Sequence, residues 1–302
     1  MQVSVLINNY NYASFIAECL DSVQLQSYPI HEVIVVDDGS QDNSVDIIKA
    51  HPLNVHCIEK ENEGQYSAMQ RAIQHATGDI FCFLDSDDTW NSDYLEKVCA
   101  AFKGDLNPDF VYTNMKRFGT FPGPSYTDSD YFIAKSQQLL LLKRFFLGSP
   151  TSANSIKAHY ARQLFDAKTR QFYEDYRICG DEVLVFGASL IGCSKLQLGE
   201  RLANYRVHSS NNYFNRKRDS SEWETDQVKY KRLLAHITAD LDISIKAPLL
   251  YLEFAQVLRS GCDHEKLIDT YYNAIKRLDS NIVYKSFWKI LFRATRRILE
   301  SS

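Results

Sequence analysis

Apolar residues in the first third of this chain fall in short runs, each followed by a polar loop and then by a stretch whose apolar positions recur every third or fourth residue. Residues 3–7 form the first run and predict a strand; after the polar loop 8–11, Phe15, Ile16, Cys19, Leu20 and Val23 share one face of a helix reaching to about residue 26. The same alternation predicts strands over 32–36, 55–58 and 80–84, with helices over 44–50 and 65–76 between them. Four strands and three helices in strict alternation over about 85 residues, with short connections, predict a parallel sheet with right-handed crossovers.

The run at 80–84, IFCFL, contains nothing charged, as suits a strand buried on both faces of such a sheet. It stops abruptly at Asp85, Asp87 and Asp88, and the 32–36 strand likewise ends in Asp37 and Asp38. Both acidic clusters are therefore expected on the C-terminal edge of the sheet, where packed strands hold a ligand crevice open. A metal or polyanion site is the first expectation; three carboxylates within four residues repel one another, so the arrangement is costly without a cation or a hydrogen-bonding partner unless it is solvated. A solvated turn leading into a helix cap draws on the same residue types.

Further along, the pattern predicts a helix over 94–102 capped by Asp93, a strand at 110–112, a Gly/Pro/Ser/Thr-rich loop over 118–129, an apolar helix over 136–146 and a turn or ligand-side loop at 148–152. A helix opens near Gly180-Asp181-Glu182 and stops at Gly192; a short strand at 195–198 leads into 202–208 and then the polar stretch 209–221. That stretch is the expected boundary between a domain of residues 1–215 and a helical extension of residues 216–302, with helices over 223–236, 248–259, 264–278 and 282–300. On the last of these, Tyr284, Phe287, Trp288, Leu291, Phe292, Ile298 and Leu299 share one arc, and Lys285, Lys289, Arg293, Arg296 and Arg297 the opposite one. Such a helix suits a peripheral membrane contact through 282–300; it equally suits packing on the other tail helices with its basic face solvated.

Composition narrows the classes by exclusion. The 302 residues allow one large domain or two. With 34 basic and 38 acidic residues, a formal charge of −4, the chain has no global basic footprint for nucleic acid. Seven cysteines, mostly within apolar runs and with no CxxC pair, argue for buried thiols in a reducing compartment, not a disulfide framework or a zinc site. No secretion signal opens the sequence and no stretch of about 20 residues is uninterruptedly apolar, so the expectation is a cytoplasmic protein, at the inner face of the membrane if the last helix binds lipid.

Four blocks carry a more specific signal: VSVLINNYNYASFIAECLDSVQLQ, EVIVVDDGSQDNS, NEGQYSAMQRAIQHATGDIFCFLDSDD and YRVH. In order and spacing they resemble glycosyltransferase family 2 over roughly residues 1–210. The resemblance implies the GT-A fold, an α/β, Rossmann-like, mostly parallel sheet flanked by helices, here with an all-helical C-terminal extension. It also implies an inverting transfer from a nucleotide sugar with Mn²⁺ or Mg²⁺ as cofactor. By that resemblance Asp85-Ser86-Asp87 is the DxD motif, Asp87 contacting the metal and Asp85 the metal, its water or the ribose.

Asp38 falls where the family accepts a hydrogen bond from the nucleotide base, and Asn8 and Tyr10 in the loop over the nucleotide; each would serve equally as a turn or cap residue. The family's base, often in a Glu-Asp pair, aligns with Asp181, here preceded by Gly180 and followed by Glu182 as a substitute; a plain helix cap fits Asp181 as well. Within YRVH, Arg206 or His208 would reach the diphosphate or metal when the following loop closes. Gln65 and Arg71, near the family's sugar-recognition stretch, receive no role.

The implied function is transfer of a sugar from a nucleoside diphosphate sugar, UDP-linked, to a hydroxyl of a glycan or lipid-linked glycan acceptor. The QxxRW motif of processive synthases is missing. A nucleotidyltransferase would need a Gly-rich basic phosphate loop that residues 8–12 do not supply, and a non-catalytic sugar-nucleotide or glycan-binding module would have little need of Asp85, Asp87 and Asp181 together.

Overall fold

In the computed structural model, which describes residues 1–120, 123–124, 130–133, 148–166, 170–209, 211, 229 and 233, the apolar runs lie side by side in one sheet. β1 (Val3–Asn9), β2 (Glu32–Asp37), β3 (His56–Glu59) and β4 (Ile80–Asp85) pair in parallel in the order β3-β2-β1-β4. They are joined by α1 (Ile16–Gln24), α2 (Ser44–Ala50) and α3 (Gln65–His75). Side chains on a strand alternate between faces. Accordingly Leu6, Ile34, Val36, Phe81 and Phe83 enter one apolar cluster with α3, while Val5, Ile7, Val33, Val35, Cys82 and Leu84 enter another with α1. Two cores, one on each face, are the reason these strands read as continuous apolar runs.

The second half extends the same sheet. β5 (Thr89–Trp90), α4 (Tyr94–Lys103), β6 (Phe110–Gly119), β7 (Gly123–Pro124) and β8 (Tyr131–Ile133) are followed by a 3-10 turn, Thr151–Ala153. Then come β9 (Asn154–Lys157), α5 (Ala158–Leu164), α6 (Arg170–Asp175), α7 (Asp181–Leu190) and β10 (Lys195–Val207). β9 runs antiparallel between β4 and β6, and β10 lies parallel to β6 and antiparallel to β5. The four strands of the first half are thus parallel, as expected, while antiparallel pairing by β5, β7, β8 and β9 makes the whole sheet mixed; β9 is an insertion that no periodicity announced, its four residues, NSIK, carrying one apolar side chain.

Several expectations are corrected. β6 does not stop at residue 112 but continues to Gly119, and β7 takes two further residues from the segment expected to be loop. The strand at 195–198 and the segment 202–208 are largely one strand, β10, irregular between Leu198 and Ala203 where its register on β6 shifts. Asp93 does not cap α4; its carboxylate pairs with Lys97 at 2.8 Å, because the two stand one turn apart on the exposed face.

The helix expected at 136–146 and nearly all of the extension, 282–300 included, lie outside the described residues. Of that extension, Leu233 is buried in the same apolar cluster as α3 and α7, and Lys229 O accepts the Tyr176 hydroxyl at 3.1 Å. The six described cysteines are free. No helix among the described residues is long and apolar enough to cross a membrane.

Lys195 of β10 is fully buried, its Nζ donating to Val185 O at 2.8 Å and standing 4.4 Å from the centre of the Phe110 ring. Burial pulls its ammonium down to about 7. The unfolded lysine holds its proton to about pH 10.4, so between these values the unfolded chain binds more protons and stability rises with pH. Lys195→Met, close in volume and uncharged, is expected to raise the thermal midpoint at pH 7 by about 4 °C and to flatten the rise in stability toward pH 10. Melting curves across that range check it; a lower midpoint at pH 7 would show the amine to be a net stabiliser.

Candidate active site

The C-terminal ends of β2, β1 and β4 bring the acidic clusters together. In register, Asn8 of β1 stands beside Asp85 of β4, and Asn9 beside Asp37 of β2. After β4 the chain turns at once, Asp88 N–H donating to Asp85 O at 3.1 Å, and carboxylate oxygens of Asp85, Asp87 and Asp88 come within 4.8 Å of one another. Asp87 is 7% exposed and Asp88 0%.

Donors from distant segments converge on this turn. Gln65 Nε2 reaches Asp85 Oδ1 at 3.0 Å, joined by the side chains of Asn8 and Thr151. Ser152 Oγ accepts Asp85 N–H at 3.0 Å and donates to Asp88 Oδ2 at 2.5 Å, while Arg206 N–H donates to Asp88 Oδ1 at 2.7 Å. Asp87 Oδ2 meets His208 Nε2 at 3.0 Å and Asn211 Nδ2 at 3.2 Å, and the Tyr12 hydroxyl also bonds its carboxylate. Even so, burial first and the Asp87 charge second push the Asp85 carboxyl up to about 7, and burial with both neighbours drives Asp88 well above its usual range.

That balance tests whether a cation fits. Both oxygens of Asp88 are taken by donors within the fold, whereas Asp85 and Asp87 line an open cavity of about 960 Å³. Two carboxylates whose repulsion is only partly offset by hydrogen bonds are a donor set that a hard divalent cation satisfies, with His208 beside it.

The remaining expected residues separate into two groups. Asn8, Tyr10, Asp38, Asp181 and Glu182 line the cavity together with Asp85 and Asp87. Tyr10 is 40% exposed at its edge. Asp38 accepts Lys60 Nζ (2.6 Å) and Glu63 N–H (3.0 Å) on Oδ1, and Gly64 N–H (2.7 Å) on Oδ2. Its neighbour Asp37 turns the other way, bonding Ser40 N–H and hydroxyl and Asn9 Nδ2, and so shapes the loop. Asp181 opens α7; burial, then Glu182 and Asp85, push its carboxyl up to about 8. Arg206 stands behind the acidic turn, its Nε on Asp87 O at 2.7 Å, its Nη2 on Glu18 at 2.6 Å, its guanidinium over the Phe15 and Phe118 rings. It braces the turn and is not among the residues that line the cavity.

The turn or ligand-side loop expected at 148–152 carries Thr151 and Ser152, to which the sequence assigned no role, and Asn211 was read as linker although it is 3% exposed and accepts His208 N–H at 2.6 Å. The spacing of Asn211, three residues beyond His208, was the available signal.

Residues 4–175 match the family model described as Glycosyl transferase family 2. The chain belongs to this family. Among its family 2 relatives, an uncharacterized glycosyltransferase of Nostoc sp. (strain PCC 7120) is 29% identical over 74% of this chain and 70% of its own length. Glycosyltransferase AglE of Haloferax volcanii is 38% identical over 37% of this chain and 41% of its own. Among solved structures, S. aureus TarS 1–349 in complex with UDP superposes with a TM-score of 0.64 at 20% identity, covering 91% of this chain and 79% of that one. Mannosyltransferase PcManGT from Pyrobaculum calidifontis, in complex with GDP-Man and Mn²⁺, gives 0.51 at 18% identity, covering 99% and 87%. The family 2 chain therefore has the GT-A fold expected of it and is a glycosyltransferase.

Ser152 is the most exacting support of the turn, since one hydroxyl serves both Asp85 and Asp88. Ser152→Ala leaves a buried N–H and a buried carboxylate short of a partner, and is expected to lower unfolding free energy by about 1–3 kcal/mol. Urea titration followed by fluorescence measures it; an unchanged midpoint would show that the turn does not need this bond.

Proposed function

We propose that the chain transfers a sugar, with inversion, from a UDP-sugar to a hydroxyl of a glycan or lipid-linked glycan, with Mn²⁺ or Mg²⁺ held by Asp87 and Asp85. The observation that carries this reading is that Asp38, Asp85, Asp87 and Asp181 line one cavity of about 960 Å³, large enough for a nucleotide sugar. The binding of UDP by TarS, and of GDP-Man with Mn²⁺ by PcManGT, supports it from the side of the fold. The free cysteines suit a reducing, cytoplasmic setting.

The nucleobase follows from Asp38. With Oδ1 taken by Lys60 and Glu63 and Oδ2 taken once by Gly64, the carboxylate has room on Oδ2 for a single further donor. Uracil offers one ring N–H between two carbonyls; guanine offers adjacent N1–H and N2–H donors that would need both oxygens. Asn8 and Tyr10 then cover the nucleotide from the β1 loop.

When bound, the cation supplies positive charge to the diphosphate as the sugar–phosphate bond breaks. Asp87 and Asp85 would hold it, and His208 and Asn211 fix the Asp87 carboxylate through its Oδ2. The acceptor oxygen bonds to the anomeric carbon while the bond from that carbon to the phosphate oxygen breaks and its electron pair departs with UDP. Asp181 takes the hydroxyl proton. Its raised pKa makes it a stronger base once ionised, and leaves it protonated and idle below that value.

Release of UDP from a panel of sugar nucleotides with Mn²⁺, with and without acceptors, tests the reading. Asp87→Asn is expected to abolish release, and turnover that persists in EDTA would sink the cation assignment. Asp181→Asn should keep UDP-sugar binding while transfer falls about 10²-fold. For the unaltered chain, transfer should climb with pH on an acid limb above the usual carboxylate range, since the base works only when deprotonated. By calorimetry UDP should bind at least about tenfold more tightly than GDP, one hydrogen bond's worth; equal affinities would refute the nucleobase assignment.

A further inference from the structure

Gln65, the first residue of α3, spans the two chemical ends of the cavity. Its Nε2 donates to Asp85 Oδ1 at 3.0 Å and to Thr151 Oγ1 at 3.2 Å, and its Oε1 accepts Gly180 N–H at 2.8 Å. Gly180 immediately precedes α7, whose first residue is Asp181. One amide group thus touches the cation-holding carboxylate on one side and the start of the base-bearing helix on the other. Glutamate could not donate to Asp85, and asparagine is one methylene too short to span the pair.

The backbone reinforces the bridge. Gln65 N–H donates to Arg177 O at 2.9 Å and Tyr66 N–H to Tyr176 O at 3.2 Å, so the free N–H groups that open α3 are met by the segment leading into α7. The two helix starts touch so closely that a Cβ on Gly180 would stand 2.8 Å from Tyr66 N and 2.9 Å from its Cα. Gly64, at φ +97°, is packed in the same way, a Cβ there falling 2.5 Å from Arg177 Cα. This gives a packing reason for the departure from a Glu-Asp pair: no side chain fits at position 180, and the Gln65 amide takes the N–H that opens the turn.

We infer that Gln65 is a positioning residue which holds the base Asp181 at a fixed place relative to the leaving group bound at Asp85 and Asp87. The inference rests on the roles proposed above for those three residues. Its chemical logic is that an in-line displacement tolerates little misplacement of the base, an error of about 1 Å costing about 10²-fold. Asp85 and Asp181 lie on different elements, β4 and α7, with no covalent or strand-pairing link that would hold that spacing.

Gln65→Met keeps the volume and removes both hydrogen bonds. At saturating Mn²⁺, donor and acceptor, kcat for transfer should fall about tenfold or more, and UDP binding in the presence of Mn²⁺ should weaken through Asp85. In an Asp181→Asn background the same change should alter kcat by less than about threefold, because no base remains to be misplaced, while the weakened UDP binding persists. Gln65→Glu, which can still accept Gly180 N–H but sets a carboxylate against Asp85, should not restore kcat. Should the Met variant not fold, Gln65→Asn takes its place with the same expectations. An unchanged kcat in the single variant, or an equal loss in both backgrounds, overturns the inference alone; absence of turnover by the unaltered chain on every sugar nucleotide overturns the proposed function and the inference with it.

Discussion

Three carboxylates held within 4.8 Å of one another at the buried end of β4 are the constraint around which the rest of this molecule is arranged. At about 4 Å and an effective dielectric near 20, each like-charged pair costs about 4 kcal/mol before any compensation. The compensation is assembled from segments far apart in the chain: Asn8 near the end of β1 and Tyr12 after it, Gln65 at the head of α3, Thr151 and Ser152 in the 3-10 turn, Arg206 and His208 at the end of β10, and Asn211 beyond it. The antiparallel insertion of β9 between β4 and β6 has its purpose here, since it carries the 151–152 turn alongside Asp85. Burial first, and the Asp87 charge second, still hold the Asp85 carboxyl above its usual range, a balance that a divalent cation would relieve.

Adjacent acids of the same type do different work because the chain turns between them. Asp37 bonds Ser40 and Asn9 and fixes a loop, while Asp38, one residue on, faces the cavity with one acceptor position open. Asp88 spends both oxygens on Ser152 and Arg206 and anchors the acidic turn, while Asp87 points into the cavity. Arg206 similarly lends its backbone N–H to Asp88 and its guanidinium to Asp87 O and Glu18, so the segment that closes the domain is bound to the turn from behind. A glycosyltransferase site of this kind is as much a product of these anchors as of the residues that face the donor.

Much of the fold and part of the site were legible in advance. The period-two split of Leu6 from Val5 and Ile7 between two cores produced the uninterrupted apolar runs, and the end of each run located Asp38, Asp85 and Asp87 on one edge. β9 was illegible because it is short and polar, its strand character coming from the partners on either side. Gln65 and Ser152 were illegible for a related reason: their partners at the acidic turn lie 20 or more residues away in the chain, and a hydrogen bond of that separation leaves no periodic trace; the bond of Asn211 to Asp87 is hidden in the same way, while its bond to His208 is local.

The sequence by itself therefore determined the winding of the first half of the sheet, the edge at which the acids gather and the identity of those acids, because alternation and chain order are local properties that packing cannot rearrange. Which acid faces the cavity, which is consumed as an anchor, why position 180 must lack a side chain and how Asp181 is tied to Asp85 were decided only by tertiary structure. Those outcomes depend on contacts between α3, α7, the 151–152 turn and the end of β10, and such contacts exist only once the sheet has brought these segments together.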